Sequence, residues 1–189
     1  MTLSVENLTK SFDGKTVLDG FSHVFSEGTV TVIMGASGCG KTTLLDLLLG
    51  VIVPDSGTVN REDIRFSAVF QENRLCENLS VLSNLRLVQK GRPERRYLER
   101  ELDEIGLGGC ADNPVRTLSG GMKRRVTLLR ALLAEYNVLI MDEPFKGLDE
   151  TTRQTVMTYC LEKTAGKTVI LVTHDKTEAD FFAGELIEL

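Results

Sequence analysis

The chain is expected to fold as an α/β protein with a mostly parallel central sheet. An antiparallel β subdomain precedes that sheet and a helical segment is inserted in it. Three observations predict this. A glycine-rich stretch, Gly35-Ala36-Ser37-Gly38-Cys39-Gly40-Lys41-Thr42, lies between a short strand pattern and a helix pattern. Val138-Leu139-Ile140-Met141 and Thr168 to Val172 read as strands buried on both faces, as parallel strands are. The stretch between about residues 72 and 134 carries helical periodicity and no strand pattern.

The length of 189 residues suits one domain, 1–189, with a sizeable core. Hydrophobic residues at 42% and charged residues at 26% are ordinary for a globular protein. A formal net charge of -5 argues against general binding to a nucleic acid backbone. Cys39, Cys76, Cys110 and Cys160 form no C-x-x-C pair, so neither a zinc ribbon nor a disulfide framework is expected, and a reducing cytosol fits. Met1 to Lys10 lacks the apolar core of a signal peptide. The most apolar window, Leu44 to Val53, is too short to span a bilayer. Work at a membrane would therefore go through a partner.

Taken in order, Leu3 to Leu8 roughly alternates, as a half-buried strand does. Phe12-Asp13-Gly14-Lys15 is a turn and Val17 to Phe25 a second strand, so an antiparallel hairpin is expected first. Phe12 has two readings: a core residue, or an exposed platform on which an adenine ring stacks. Thr29 to Met34 is a short buried strand leading into the glycine-rich stretch, and Thr43 to Leu49 is the helix that follows. The stretch fits the phosphate-loop pattern G-x-x-x-x-G-K-[ST]. Its glycines let backbone N–H groups converge on a polyphosphate. Lys41 can reach the β- and γ-phosphates and Thr42 can offer a hydroxyl to Mg²⁺. The helix N-terminus adds free N–H groups and partial positive charge. Cys39 either fills space in the loop or has its thiol activated there.

Pro54-Asp55-Ser56-Gly57 is a turn, with strands at Thr58-Val59-Asn60 and Arg65 to Phe70. Gln71 follows at the end of a buried strand, where ligands sit in open α/β sheets. Ser80 can cap a helix over Val81 to Lys90, and Pro93 suits the first turn of a helix running to Ile105. The charges from Glu94 to Glu104 read mostly as a solvated face. Ser119 can cap a third helix running to Ala134, whose first turn is bare because of Gly120 and Gly121. That turn is either a cap alone or a second anion site. Asp142 and Glu143 end the Val138 strand; two adjacent carboxylates there suit a position beside Mg²⁺ and a water. A helix is expected from Glu150 to Lys163, and His174 follows the Thr168 strand. The ends of the strands at Met34, Phe70, Met141 and Val172 are expected on one edge.

In their order, the phosphate loop, Gln71, Leu118-Ser119-Gly120-Gly121, Asp142-Glu143, Gly147-Leu148-Asp149 and His174 resemble the ATP-binding subunit of ATP-binding cassette (ABC) transporters, over nearly the whole chain. The resemblance implies a P-loop NTPase fold, ATP and Mg²⁺ as cofactors, and ATP hydrolysis coupled to transport. It implies two cassettes, identical or pseudo-symmetric, closed head to tail on ATP. ATP would be held by Phe12, by Gly35 to Thr42 and Thr43, and by Ser119-Gly120-Gly121 of the opposing cassette. Lys41 would contact the phosphates. Thr42, Gln71 and Asp142 would serve Mg²⁺. Glu143 would be the general base, with His174 and Gln71 at the γ-phosphate and Asp149 at the dimer seam. A membrane permease and a substrate-binding protein would be partners, with the subunit peripheral at the inner face of the membrane.

Glu143-Pro144-Phe145, Leu118 to Met122 and His174-Asp175…Glu178-Ala179 resemble bacterial importers of the nitrate, sulfonate and taurine type. The span from Lys41 to Gln71 is short for the family, which implies a trimmed antiparallel subdomain. The end at Leu189 implies a minimal cassette. Two other readings are a regulatory or structural cassette with little hydrolysis in an unequal dimer, and a non-transport ABC ATPase. Intact Lys41, Asp142, Glu143 and His174 speak against the former. The acidic charge and lack of a coiled-coil or zinc insertion speak against the latter.

Overall fold

The structure, a computed structural model, describes residues 2–91 and 93–189. Met1, and Arg92 within the expected helical arm, lie outside the described residues. The chain forms two compact units. The first comprises residues 1–66, 137–142 and 166–189; the second comprises 67–136 and 143–165.

In the first unit, β1 (Thr2–Phe12) pairs antiparallel with β2 (Lys15–Phe25) and with β4 (Ser56–Glu62). The hairpin was expected; the strands are longer than alternation predicted because the turn occupies only Asp13 and Gly14. Alternating Leu3 and Val5 are buried, and Leu8 joins them after a register shift. The second sheet of this unit is parallel. β3 (Val30–Met34) lies between β7 (Thr168–Val172) and β8 (Glu185–Glu188), and β6 (Val138–Asp142) flanks β7. All five residues of β6 and all five of β7 are buried. Continuous apolar runs are stable only where both faces of a sheet are covered. The registers Ile33 to Val172 and Asp142 to Val172 bring the C-terminal ends of β3, β6 and β7 to one edge.

Two helices belong to this unit. α1 (Lys41–Leu49) buries Leu44, Leu45, Leu47 and Leu48. α6 (Lys176–Phe182) follows β7, capped by Asp175, whose carboxylate accepts the Thr177 N–H at 2.8 Å. It spans only seven residues, too few to show a helical period in the sequence.

The second unit begins at Ser67, within β5 (Phe66–Val69). Its helices are α2 (Val81–Arg86), α3 (Arg95–Glu104), α4 (Gly120–Leu132) and α5 (Glu150–Lys163). α2 stops four residues short of the expected Lys90, because its buried stripe ends at Leu85 and Leu87 is exposed. Pro93 lies before α3, whose cap is Glu94. The charged stretch is not all solvated. Glu101 is 3% exposed; it accepts the Tyr159 O–H, and Lys163 Nζ lies 2.7 Å from its carboxylate. Burial and this carboxylate push the Tyr159 phenol well above its usual range. Asn84, fully buried in α2, anchors the preceding loop: its Nδ2 donates to the Cys76 and Ser80 carbonyls and its Oδ1 accepts the Cys76 N–H.

Candidate functional site

The first unit builds the phosphate loop from the end of β3 to the start of α1. Gly40 caps α1 at φ 109°, and a Cβ there would stand 2.9 Å from the Val17 carbonyl of β2. Only glycine lets the loop lie against the hairpin this closely. A Cβ on Gly35 would likewise stand 2.5 Å from the Leu189 carbonyl. The loop wraps around Lys41, which is 9% exposed and donates through Nζ to the carbonyls of Gly35 (2.8 Å) and Ala36 (2.7 Å). Its Nζ is also 3.6 Å from the Cys39 Sγ. Ala36, Ser37 and Gly38 are exposed, and Gly35 and Cys39 half-buried. A cation is thus held inside a ring of backbone whose rim is open to solvent, an arrangement suited to polyphosphate.

Thr42 is exposed and Thr43 half-buried in the first turn of α1. The Thr42 hydroxyl donates to Asp142 Oδ2 at 3.1 Å, across 100 residues of sequence. Asp142 is 3% exposed at the end of β6. One hydroxyl beside one carboxylate fits Mg²⁺, which keeps several waters and completes its shell with phosphate oxygens. Among the described residues no cluster of three or more His, Cys, Asp or Glu could hold a metal alone. His174 is exposed just past β7, on the edge that carries Asp142 and the loop. Phe12 ends β1 opposite Lys15, two residues before Val17, so the hairpin tip adjoins Gly40. At 45% exposed it is not core. Lys10 Nζ stands 5.4 Å from its ring centroid.

The second unit carries the other candidates. Gln71 is exposed immediately after β5 and Phe70. Ser119 and Gly120 are exposed at the start of α4, and Gly121 is half-buried. Ser119 Oγ accepts the Met122 N–H at 3.2 Å and so caps α4. Glu143 has φ 44°, an unfavourable region for a side chain of its size, and its carboxylate lies 2.7 Å from Lys146 Nζ. Asp149 caps α5 by accepting the Thr152 N–H at 3.0 Å, which holds its carboxyl below the usual range.

Two residues that shape this unit's motifs escaped the sequence reading. Lys146 is an exposed lysine whose i,i+3 spacing from Glu143 was the only hint. Arg124 is 4% exposed and donates to the carbonyls of Phe70, Gln71, Glu143 and Pro144. Its signal was a charge in register with buried Leu128 and Ala131.

Comparison with known proteins gives the family of the chain. The family model described as "ABC transporter" matches residues 18–146. An aliphatic sulfonates import ATP-binding protein (SsuB 1) from Nocardia farcinica is 41% identical over 192 residues, covering 100% of this chain and 78% of its own. A taurine import ATP-binding protein (TauB) from Yersinia pestis is 36% identical over 201 residues, covering 99% of this chain and 79% of its own. Among solved structures, a dimeric ATP-binding cassette, MJ0796, bound to ADP and Pi, superposes with a TM-score of 0.85 at 28% identity, covering 100% of this chain and 94% of that one.

Proposed function

The chain belongs to the ABC transporter family, and we propose that it is the ATP-binding, ATP-hydrolysing subunit that powers a bacterial importer. The observation that carries this reading is the phosphate loop closed on Lys41, with Thr42 paired to Asp142 at 3.1 Å. On ATP binding, Lys41 exchanges two carbonyl partners for phosphate oxygens, a stronger charge-assisted interaction. Phe12 stacks the adenine. Thr42 and Asp142 would hold Mg²⁺, which would supply positive charge beside the phosphates.

The parts assigned to Gln71, Glu143 and His174 rest on the order of the family motifs. Glu143 takes a proton from the attacking water, His174 stabilises the transferred phosphoryl group, and Gln71 reports its presence. Ser119-Gly120-Gly121 begins α4, with Ser119 and Gly120 exposed and Gly121 half-buried, a helix N-terminus suited to the nucleotide of a second cassette. The reading includes closure of two cassettes on ATP, a membrane permease as partner, a substrate-binding protein in the same system, and a position at the inner membrane face. Among the described residues no helix is long and apolar enough to cross a membrane, consistent with attachment through a permease.

One observation favours a second reading, a cassette with little turnover: the Glu143 carboxylate is engaged by Lys146. The two readings part on hydrolysis. The first is tested by equilibrium MgATP binding to wild type and Lys41→Ala. Affinity is expected to fall roughly tenfold or more, since a hydrogen bond to a charged group contributes about 1.5–3 kcal/mol. Equal affinity in both proteins would place the nucleotide elsewhere.

A further inference from the structure

The N-terminal half of α4 does more than present Ser119, Gly120 and Gly121. From the same helix, Arg124 reaches two separate segments of backbone. Its Nη1 donates to the carbonyls of Phe70 (2.5 Å) and Gln71 (3.2 Å). Its Nη2 donates to the Glu143 carbonyl (2.7 Å) and its Nε to the Pro144 carbonyl (2.7 Å). Two further side chains continue along that helix face. Thr127 Oγ1 shares its proton between the Asn73 carbonyl at 2.9 Å and the Lys123 carbonyl of its own helix at 3.0 Å, and Arg130 Nη2 donates to the Arg74 carbonyl at 2.9 Å. Positions 124, 127 and 130 recur at helical spacing, so they lie along one side of α4. The carbonyls of Phe70, Gln71, Asn73 and Arg74 are therefore laced to this helix rung by rung.

A buried cation is costly unless its donors are matched. Here the planar fork of Arg124 is matched by carbonyl oxygens on two segments at once. A lysine, with one compact head, cannot span both. Glu143 sits at φ 44°, a conformation that surrounding contacts must impose. The Arg124 bonds to the Glu143 and Pro144 carbonyls contribute to that constraint, beside the Lys146 N–H, which donates to the Glu143 carbonyl at 3.3 Å.

We propose that Arg124 is the positioning residue of the hydrolytic step: it keys the backbone at Gln71 and at Glu143 to the helix that begins at Ser119. Those three motifs then move as one piece. A cassette that engages a neighbour's nucleotide through Ser119 sets its own Gln71 and Glu143 at the same moment. The inference rests on the reading of the chain as an ATPase and adds a residue that touches neither nucleotide nor water.

The test uses the full chain as wild type, Arg124→Lys, Arg124→Ala and Thr127→Val, with steady-state ATPase kinetics and thermal melts side by side. In the two Arg124 variants kcat is expected to fall by about 10- to 100-fold, because misplacement of a catalytic group by about 1 Å costs that much. KM for MgATP should stay within about twofold, since uniform binding is untouched. Methylguanidinium should restore part of the Arg124→Ala rate and none of the Arg124→Lys rate. Thr127→Val, which removes one rung without a buried charge, should lower kcat by a smaller factor at constant KM. Folded Arg124 variants with wild-type kcat would overturn the proposal, as would loss of activity that tracks melting temperature without rescue. If the Arg124 variants fail to fold, an unchanged kcat in Thr127→Val overturns it. A wild type without ATP hydrolysis would instead overturn the reading on which the proposal rests.

Discussion

Among the described residues Glu143 is one of six non-glycine residues with positive φ. A side chain of its size at φ 44° costs of order 1–3 kcal/mol, which the neighbouring structure must offset. Its carboxylate, with 14% of the side chain exposed, pairs with a lysine that is 67% exposed. A pair this accessible contributes about 0–1 kcal/mol. Lys146→Ala is therefore expected to raise the ATPase rate by no more than about fivefold, the rate equivalent of 1 kcal/mol. A much larger rise would identify Lys146 as a brake and favour the low-turnover cassette. The candidate residues themselves were legible because glycine runs and strand-ending carboxylates have few other uses. What surrounds them was not. Phe12 read more safely as core than as surface, and its exposure excludes the core reading. Glu101 looked solvated by its charged neighbours, yet Tyr159 and Lys163 claim it from a helix some sixty positions away. Partners at that separation leave no local pattern in a sequence.

Elements were legible where burial imposes a period or a continuous run. β6, β7 and α5 fall where expected to within a residue. α2 is shorter than its propensity allows, because tertiary burial ends at Leu85. Helix ends set by a side chain are open to titration. The Thr152 N–H bonded to Asp149 stabilises the carboxylate and depresses its pKa. A depressed carboxyl adds stability that is complete above its unfolded pKa, about 3.9, and is lost as pH falls through the lower folded value. Asp149→Asn keeps a capping oxygen but not the charge. It is expected to melt below wild type at pH 7 and to converge with it as pH drops below about 4. A constant gap across that range would remove the charge from the account. The α3–α5 junction offers a second check by urea denaturation. Tyr159→Phe leaves the buried Glu101 carboxylate short of a donor and should cost about 1–3 kcal/mol. No loss would mean that Lys163 alone satisfies it.

At the scale of the whole molecule, the α/β class, the hairpin and the parallel strands were legible, whereas the strand order β6-β7-β3-β8 was not. Order in a parallel sheet is fixed by crossovers that no single element records. At the start of α4, Ser119 and Gly120 are exposed and Gly121 is half-buried. Association costs roughly 4–15 kcal/mol in lost freedom, so a pair held mainly by nucleotide should form weakly in dilute solution. The ATPase rate per chain is thus expected to rise with protein concentration and to rise further with a permease that holds two copies. A concentration-independent rate would point to a constitutive interface. The central claim is that Glu143 drives hydrolysis of an ATP that also closes the pair. Its most direct test is Glu143→Gln, followed by gel filtration and phosphate release in the same MgATP buffer. The account predicts a dimer that appears only with ATP and releases no phosphate above background. A Glu143→Gln protein that stays monomeric and still turns over ATP would contradict it.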